Sequence, residues 1–281
     1  MIIEQPNVHL ALPGRPENVA LVREVLGGLA DTVDFGYALD DVKAAVSEAC
    51  NNVVVHAYEG EEGPLEVDIR LRASEVEVVV RDWGVGLADD DGPVPGIGLA
   101  VIEALAARSE LREAPGRGLA VAMAFEIPGP GDAIDLRLDS SAPARPEPLG
   151  AEGDLEIAVM PATLGAPVLN RVVGVLAARA GFSIDRLSDA QLVTDALAAR
   201  VASVLDSAYF SVGIEVLERT VALRLGLLRE GGSAALLAGS TIGEPGPLIE
   251  RLTDAIEVSR VGTREMLRLV IRDARAVPSG A

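Results

Sequence analysis

Four separated segments of this chain match four others at one fixed offset. Asn7-Val-His-Leu-Ala-Leu12 pairs with Asp154-Leu-Glu-Ile-Ala-Val159, 147 residues on. The same offset pairs Val22-Arg-Glu-Val-Leu-Gly-Gly-Leu-Ala30 with Leu169-Asn-Arg-Val-Val-Gly-Val-Leu-Ala177, Val46-Ser-Glu-Ala49 with Val193-Thr-Asp-Ala196, and Val101-Ile-Glu-Ala-Leu105 with Leu248-Ile-Glu-Arg-Leu252. No gap is needed between them, and chance would not hold one register over such separations, so the pattern reads as a tandem duplication. Any fold for this chain must therefore be built twice, and 281 residues suffice for two domains of ordinary size.

Within one copy, hydrophobic periodicity sets the elements. Val8 to Leu12 alternates as a first strand, and Pro16 opens a helix with Val19, Val22, Leu26 and Leu29 on one stripe. A second helix is expected at about residues 40–57, with its core stripe at Val42, Ala45, Val46, Ala49, Val53 and Ala57. Strands follow at Leu65 to Leu71 and Val76 to Val80, then a helix over Leu99 to Ala106 and a closing strand over Leu119 to Ile127. The fold class expected is a two-layer α/β sandwich, a mixed sheet with helices on one face, duplicated in tandem. The Pro-, Ala- and Gly-rich run ending Ser140-Ser-Ala-Pro-Ala-Arg-Pro-Glu-Pro148 has a linker composition. It places the domains at 1–128 and 154–275, joined by a linker over 129–153.

Three motifs in the first copy carry chemistry. On the second helix Glu48, Asn52 and His56 fall four apart and share a face. Oxygen ligands of this kind suit Mg²⁺, which takes one or two protein ligands beside substrate phosphates; polar filler on a helix surface would look the same. The β-branched run Val78-Val-Val-Arg81 ends in Asp82-x-Gly84-x-Gly86, and Gly96-x-Gly98 opens the next helix. Acid and glycines after a strand, then glycines before a helix, let backbone approach a nucleotide. Each glycine motif alone is weak, since Gly-x-Gly often marks only a turn.

In this order, Glu48-x-x-x-Asn52, Asp82-x-Gly84-x-Gly86 and Gly96-x-Gly98 resemble the GHKL (Bergerat-fold) ATPases. The wording Ser47-Glu-Ala-Cys-Asn-Asn-Val-Val-Val-His-Ala-Tyr58 is similar to the anti-sigma-factor serine/threonine kinases, which regulate sigma factors by partner switching. The resemblance covers residues 7–127. It implies ATP and Mg²⁺ as cofactors, an anti-sigma-factor antagonist as the protein phosphorylated on serine, and a sigma factor as the alternative partner. It assigns Glu48 as general base, Asn52 as the Mg²⁺ ligand, and Asp82 as acceptor from the adenine amino group. Gly84 and Gly86 leave room for the base, and Gly96 and Gly98 offer N–H groups to the phosphates. His56 receives no catalytic role, and Trp83 is placed close to the adenine pocket. Because family kinases form homodimers, the resemblance also implies that the second copy packs on the first as an intramolecular pseudo-dimer.

The chain departs from the family pattern at three places. Only Leu87 to Pro95 separate the glycine motifs, and this short lid carries Asp89-Asp-Asp91. Val94-Pro95 stands where an Arg is usual. Leu119 follows Gly118 where Ser or Thr is usual, with Arg117 as the nearest cation. Three readings remain open: an active serine kinase, a non-catalytic ATP-responsive binding protein, and an interaction scaffold without nucleotide.

The second copy keeps the apolar positions and loses the polar ones. Glu48 becomes Asp195, but Asn52 faces Ala199, His56 faces Ser203, Asp82 faces Arg229, Gly86 faces Ser233 and Gly98 faces Pro245. This copy is expected to keep the fold without binding nucleotide. A formal charge of −19 argues against a nucleic-acid surface and favours a partner with a basic face. The single cysteine, Cys50, excludes an intrachain disulfide and reads as a small core residue. The N-terminus lacks the pattern of a signal peptide and no apolar run approaches a bilayer span, so the expectation is a cytoplasmic protein without membrane partners.

Overall fold

The fold is that of a computed structural model, which describes residues 5–86, 97–113, 118–129, 143–150, 155–238 and 247–274. β1 (Val8–Pro13) leads into α1 (Pro16–Ala30) and α2 (Ala38–Asn52), which widens into a π-helical turn at Val53–Ala57. The hairpin β2 (Pro64–Leu71) and β3 (Glu75–Arg81) follows, then α3 (Ile97–Leu105), β4 (Arg108–Glu113) and β5 (Leu119–Glu126). The second half runs β6 (Leu155–Val159), α4 (Gly165–Arg179), α5 (Ile184–Val201), β7 (Phe210–Leu217), β8 (Thr220–Leu228), α6 (Gly232–Ala238), α7 (Leu248–Leu252), β9 (Ala255–Val261) and β10 (Arg264–Arg272). Apart from α6, each element of the second half lies within a few residues of its counterpart shifted by the sequence offset, Leu155 of β6 against Val8 of β1 for example.

The ten strands among the described residues join one sheet in the order β4-β5-β3-β2-β1-β6-β7-β8-β10-β9, so the second half continues the first in mirrored order. Helices cover one face in the sequence α3-α2-α1-α4-α5-α7. Between the layers lies one continuous core of Val, Leu, Ile and Ala. Alternation explains the strands: Val8, Leu10 and Leu12 of β1, and Leu65, Val67, Ile69 and Leu71 of β2, all point into it. Cys50 is wholly buried there, and burial pushes its thiol up to about 12, which makes it inert. No helix among the described residues is long and apolar enough to cross a membrane.

The structure corrects the expectation of a mixed sheet, because every strand pairing it describes is antiparallel. Two successive helices separate β1 from β2, and β6 from β7. The second helix returns the chain to the end it left, so the next strand runs back beside its neighbour. β4, Arg-Ser-Glu-Leu-Arg-Glu, is a strand that apolar patterning does not announce. It lies at the sheet edge, where charged side chains face solvent.

The two halves meet along β1 and β6, with Leu10 opposite Ile157 and His9 opposite Ala158. Buried Asn7 seals the join: its side chain donates to Met160 O (2.9 Å) and accepts from Leu71 N–H (2.7 Å), while its carbonyl accepts from Met160 N–H. On the helix side α1 packs on α4. A Cβ at Gly28 would stand 2.6 Å from Pro167 O and 2.8 Å from Val168 Cα, so the backbones touch there without an intervening side chain. Arg171 of α4 forks onto Asp31 (2.8 and 2.9 Å).

Part of the expected linker, residues 143–150, crosses the opposite face of the sheet; residues 130–142 and 151–154 lie outside the described residues. Arg145 bonds Glu66 and buried Asp68 of the first half. Leu149 N–H donates to Glu156, and Glu147 pairs with Arg264, both in the second half. His9 Nδ1 also meets Asp68 at 2.7 Å. Burial works against the Asp68 charge, but His9, Arg145 and Arg81 together hold its carboxyl below the usual range.

Candidate functional site

Glu48 and Asn52 occupy the last turns of α2, both half-buried, as an amphipathic helix at the edge of the core allows. Glu48 meets Gly98 in the first turn of α3: a Cβ at Gly98 would collide with its carboxylate. A carboxylate over a helix N-terminus is favourably placed, and no described residue pairs with it, so it is available as a proton acceptor. Asn52 is the final α-helical residue before the π-turn, and its side chain makes no capping bond. His56 is exposed within that turn and takes no part.

The π-turn delivers a second contact. The Ala57 carbonyl accepts from Val85 N–H (3.0 Å) and lies so close to Gly84 that any side chain there would collide with it. Asp82, directly after β3, is buried. Its Oδ1 accepts from Gly84 N–H (2.8 Å) and from Leu119 N–H of β5 (3.2 Å), and its own N–H donates to Leu119 O (2.9 Å). Burial raises the Asp82 carboxyl above its ordinary value, and the two amide bonds only partly offset this. No described residue bonds Oδ2, which leaves an acceptor for a ligand donor.

Gly118 is a site glycine that the sequence marks only as a turn. Its φ is +89°, and a Cβ there would overlap the Asp82 carbonyl and stand 2.6 Å from Trp83 Cα, so only glycine fits. The structure thus brings Glu48 to Gly98 in one contact, and Asp82, Gly84, Gly118 and Ala57 together in another. α2 with its π-turn joins the two, and Asn52 stands between them in the chain. Gly86 has a left-handed φ of +76° in the loop after Gly84, with Gly118 as its neighbour. Gly96, the lid Leu87 to Pro95 and Arg117 lie outside the described residues.

The second half is closed at the equivalent places. Asp195, opposite Glu48, accepts from Asn170 Nδ2 at 2.5 Å. Glu265 stands where the first half has Gly118. Its carboxylate accepts from Gly231 and Ser233 N–H (2.9 and 3.0 Å), bonds that lower its proton affinity. It thereby caps α6, formed by the segment that corresponds to the Gly84–Gly86 loop.

Residues 12–125 match the family model of the histidine kinase-like ATPase domain. The chain is 30% identical over 165 residues to the serine-protein kinase RsbW of Halalkalibacterium halodurans, an alignment covering 52% of this chain and 99% of that protein. It belongs to the anti-sigma-factor kinase type of GHKL ATPase. A serine-protein kinase RsbW of Bacillus thuringiensis is 35% identical over 79 residues, 28% of this chain and 49% of the relative, so here the chain spans about half the relative's length. Among solved structures, the RsbU and RsbW domains of a Mycobacterium tuberculosis protein superpose at a TM-score of 0.30 and 8% identity, over 96% of this chain and 88% of that one. So low a score leaves the fold of this RsbW relative to rest on its own elements.

Proposed function

We propose that the first half binds Mg-ATP and phosphorylates a serine of an anti-sigma-factor antagonist, with a sigma factor as the alternative partner. The observation that carries this reading is the contact of the Glu48 carboxylate, unpaired among the described residues, with Gly98 at the start of α3, where phosphates would meet backbone N–H groups. Glu48 would take the proton of the substrate hydroxyl as its oxygen attacks phosphorus. Asp82 would hold the adenine amino group through Oδ2, its other oxygen being fixed by Gly84 and Leu119. Asn52, whose side chain makes no capping bond, fits as the protein ligand to Mg²⁺, which would neutralise phosphate charge when bound. Gly84, Gly86, Gly96 and Gly98 would give base and phosphates access to backbone.

In this reading the domains are 1–128 and 154–275, and the second half is an internal dimer partner without nucleotide. The β1–β6 pairing and the Gly28 contact support the first point, and Glu265 capping α6 supports the second. We place the protein in the cytoplasm, where such partners reside. Leu119, standing where the family has Ser or Thr, favours the other nucleotide reading, an ATP-responsive binding protein without transfer.

Transfer of labelled γ-phosphate to an antagonist tests the kinase. Glu48→Gln is expected to lower the rate about 10²–10⁴-fold while Mg-ATP affinity, read from Trp83 emission, stays within about twofold. Unchanged transfer would remove Glu48 from its role. No transfer by the wild type, with ATP bound, would leave the binding-protein reading. A flat emission response with no heat of binding would exclude nucleotide altogether.

A further inference from the structure

A cavity of about 300 Å³ opens beside the Asp82–Gly86 loop; Ala57 and Gly84 tie it to the proposed base site, but its carboxylates have no part in the phosphoryl-transfer reading. Tyr58, Trp83 and Val85 line it together with Glu59, Glu61 and Glu62. Tyr58 is held from three directions: its hydroxyl donates to Pro64 O, accepts from Trp83 N–H (3.0 Å), and its ring lies so close to Gly63 that a Cβ there would collide with it. Trp83 and Val85 are 36% and 55% exposed, a rigid aromatic and apolar wall open to solvent. Of the carboxylates, Glu62 already pairs with Arg15 (2.8 Å), whereas Glu59 and Glu61 have no ion pair among the described residues.

We propose that this cavity docks a lysine- or arginine-bearing segment of a partner protein. Two aromatic rings attract a cation through their π-faces, and two uncompensated carboxylates complete its neutralisation. Phosphate-bearing partners are disfavoured by the same carboxylates. Exposed Val85, beside the aromatic rings, gives the aliphatic stem of such a side chain a surface to cover. The choice of a protein segment over a small polyamine rests on the reading of this chain as a partner-switching regulator.

The test titrates the full chain, without nucleotide, with the peptide acetyl-Lys-Arg-Lys-amide, following emission of Trp83, the only tryptophan. A saturable response is expected, weakened at least about tenfold by Glu59→Gln with Glu61→Gln. The control Asp185→Asn with Glu250→Gln removes the same charge from the second half and is expected to change affinity by less than about twofold. Equal loss in both double variants would mean that net charge alone attracts the peptide, and would overturn the proposal. So would no loss in either, no response at all, or spermidine binding as tightly as the peptide. Because no ATP is present, these outcomes leave the nucleotide reading standing, and Mg-ATP titration of the same protein tests that reading separately.

Discussion

Asp82 carries strain at the scale of a single side chain, and in the proposed function it also recognises the base. It is buried, and among the described residues no cation pairs with it and only two amide N–H groups on one oxygen support its charge. Asparagine keeps an oxygen for those amides and puts an amino group where the ligand needs an acceptor. Asp82→Asn is therefore expected to fold, and to weaken Mg-ATP binding at least about tenfold. Its pH behaviour follows from the direction of the shift. With a folded-state affinity for protons above the unfolded one, the native form holds more protons as pH rises from the ordinary carboxylate range to the raised value, so this group costs the wild type stability across that window. The Asn variant lacks that decline. Denaturant titrations of both proteins from acid to neutral pH would show it as a gap that widens in favour of the variant and then levels. Parallel curves would mean that Asp82 is not strained by burial.

At the scale of elements, the contact between α1 and α4 rests on Gly28, where main chain meets main chain. Gly28→Leu would force the helices apart or the leucine off its rotamer, at a cost of about 1–3 kcal/mol. We expect a lower thermal midpoint, with Mg-ATP affinity unchanged to within about twofold because the contact lies away from Glu48 and Asp82. Equal stability would show that the helices slide without loss. The duplicated register legibly locates nearly all these elements, since buried Val, Leu and Ile dictate both period and pairing. Other features leave no such trace. β4 is polar, so only its place at an edge makes it a strand. The π-turn at Val53–Ala57 follows the same apolar stripe as an α-helix. Of the site, Glu48, Asn52, Asp82 and the paired glycines announce themselves by spacing. Gly118 does not, because its necessity comes from Asp82, thirty-six positions earlier in the chain.

Across the whole molecule, the two halves share one sheet and one core, while their polar residues have diverged. Among the described residues, the first half leaves the Glu48 carboxylate and Asp82 Oδ2 without a partner and keeps glycine at position 118. In the second, Asn170 engages Asp195, Arg229 replaces Asp82, and Glu265 stands where the first half has Gly118. Glu265 already engages the amides of the segment that would take the base, and Arg229, a donor, stands where the adenine amino group would need an acceptor. Calorimetry with Mg-ATP is accordingly expected to show one nucleotide per chain. Asp82→Asn should weaken that single transition, and Glu265→Gln, which keeps an acceptor for only one of the two amides, should not add a second. A stoichiometry of two in the wild type would mean that the second half binds nucleotide despite Glu265, and would remove the asymmetry from which its role as a built-in partner is inferred.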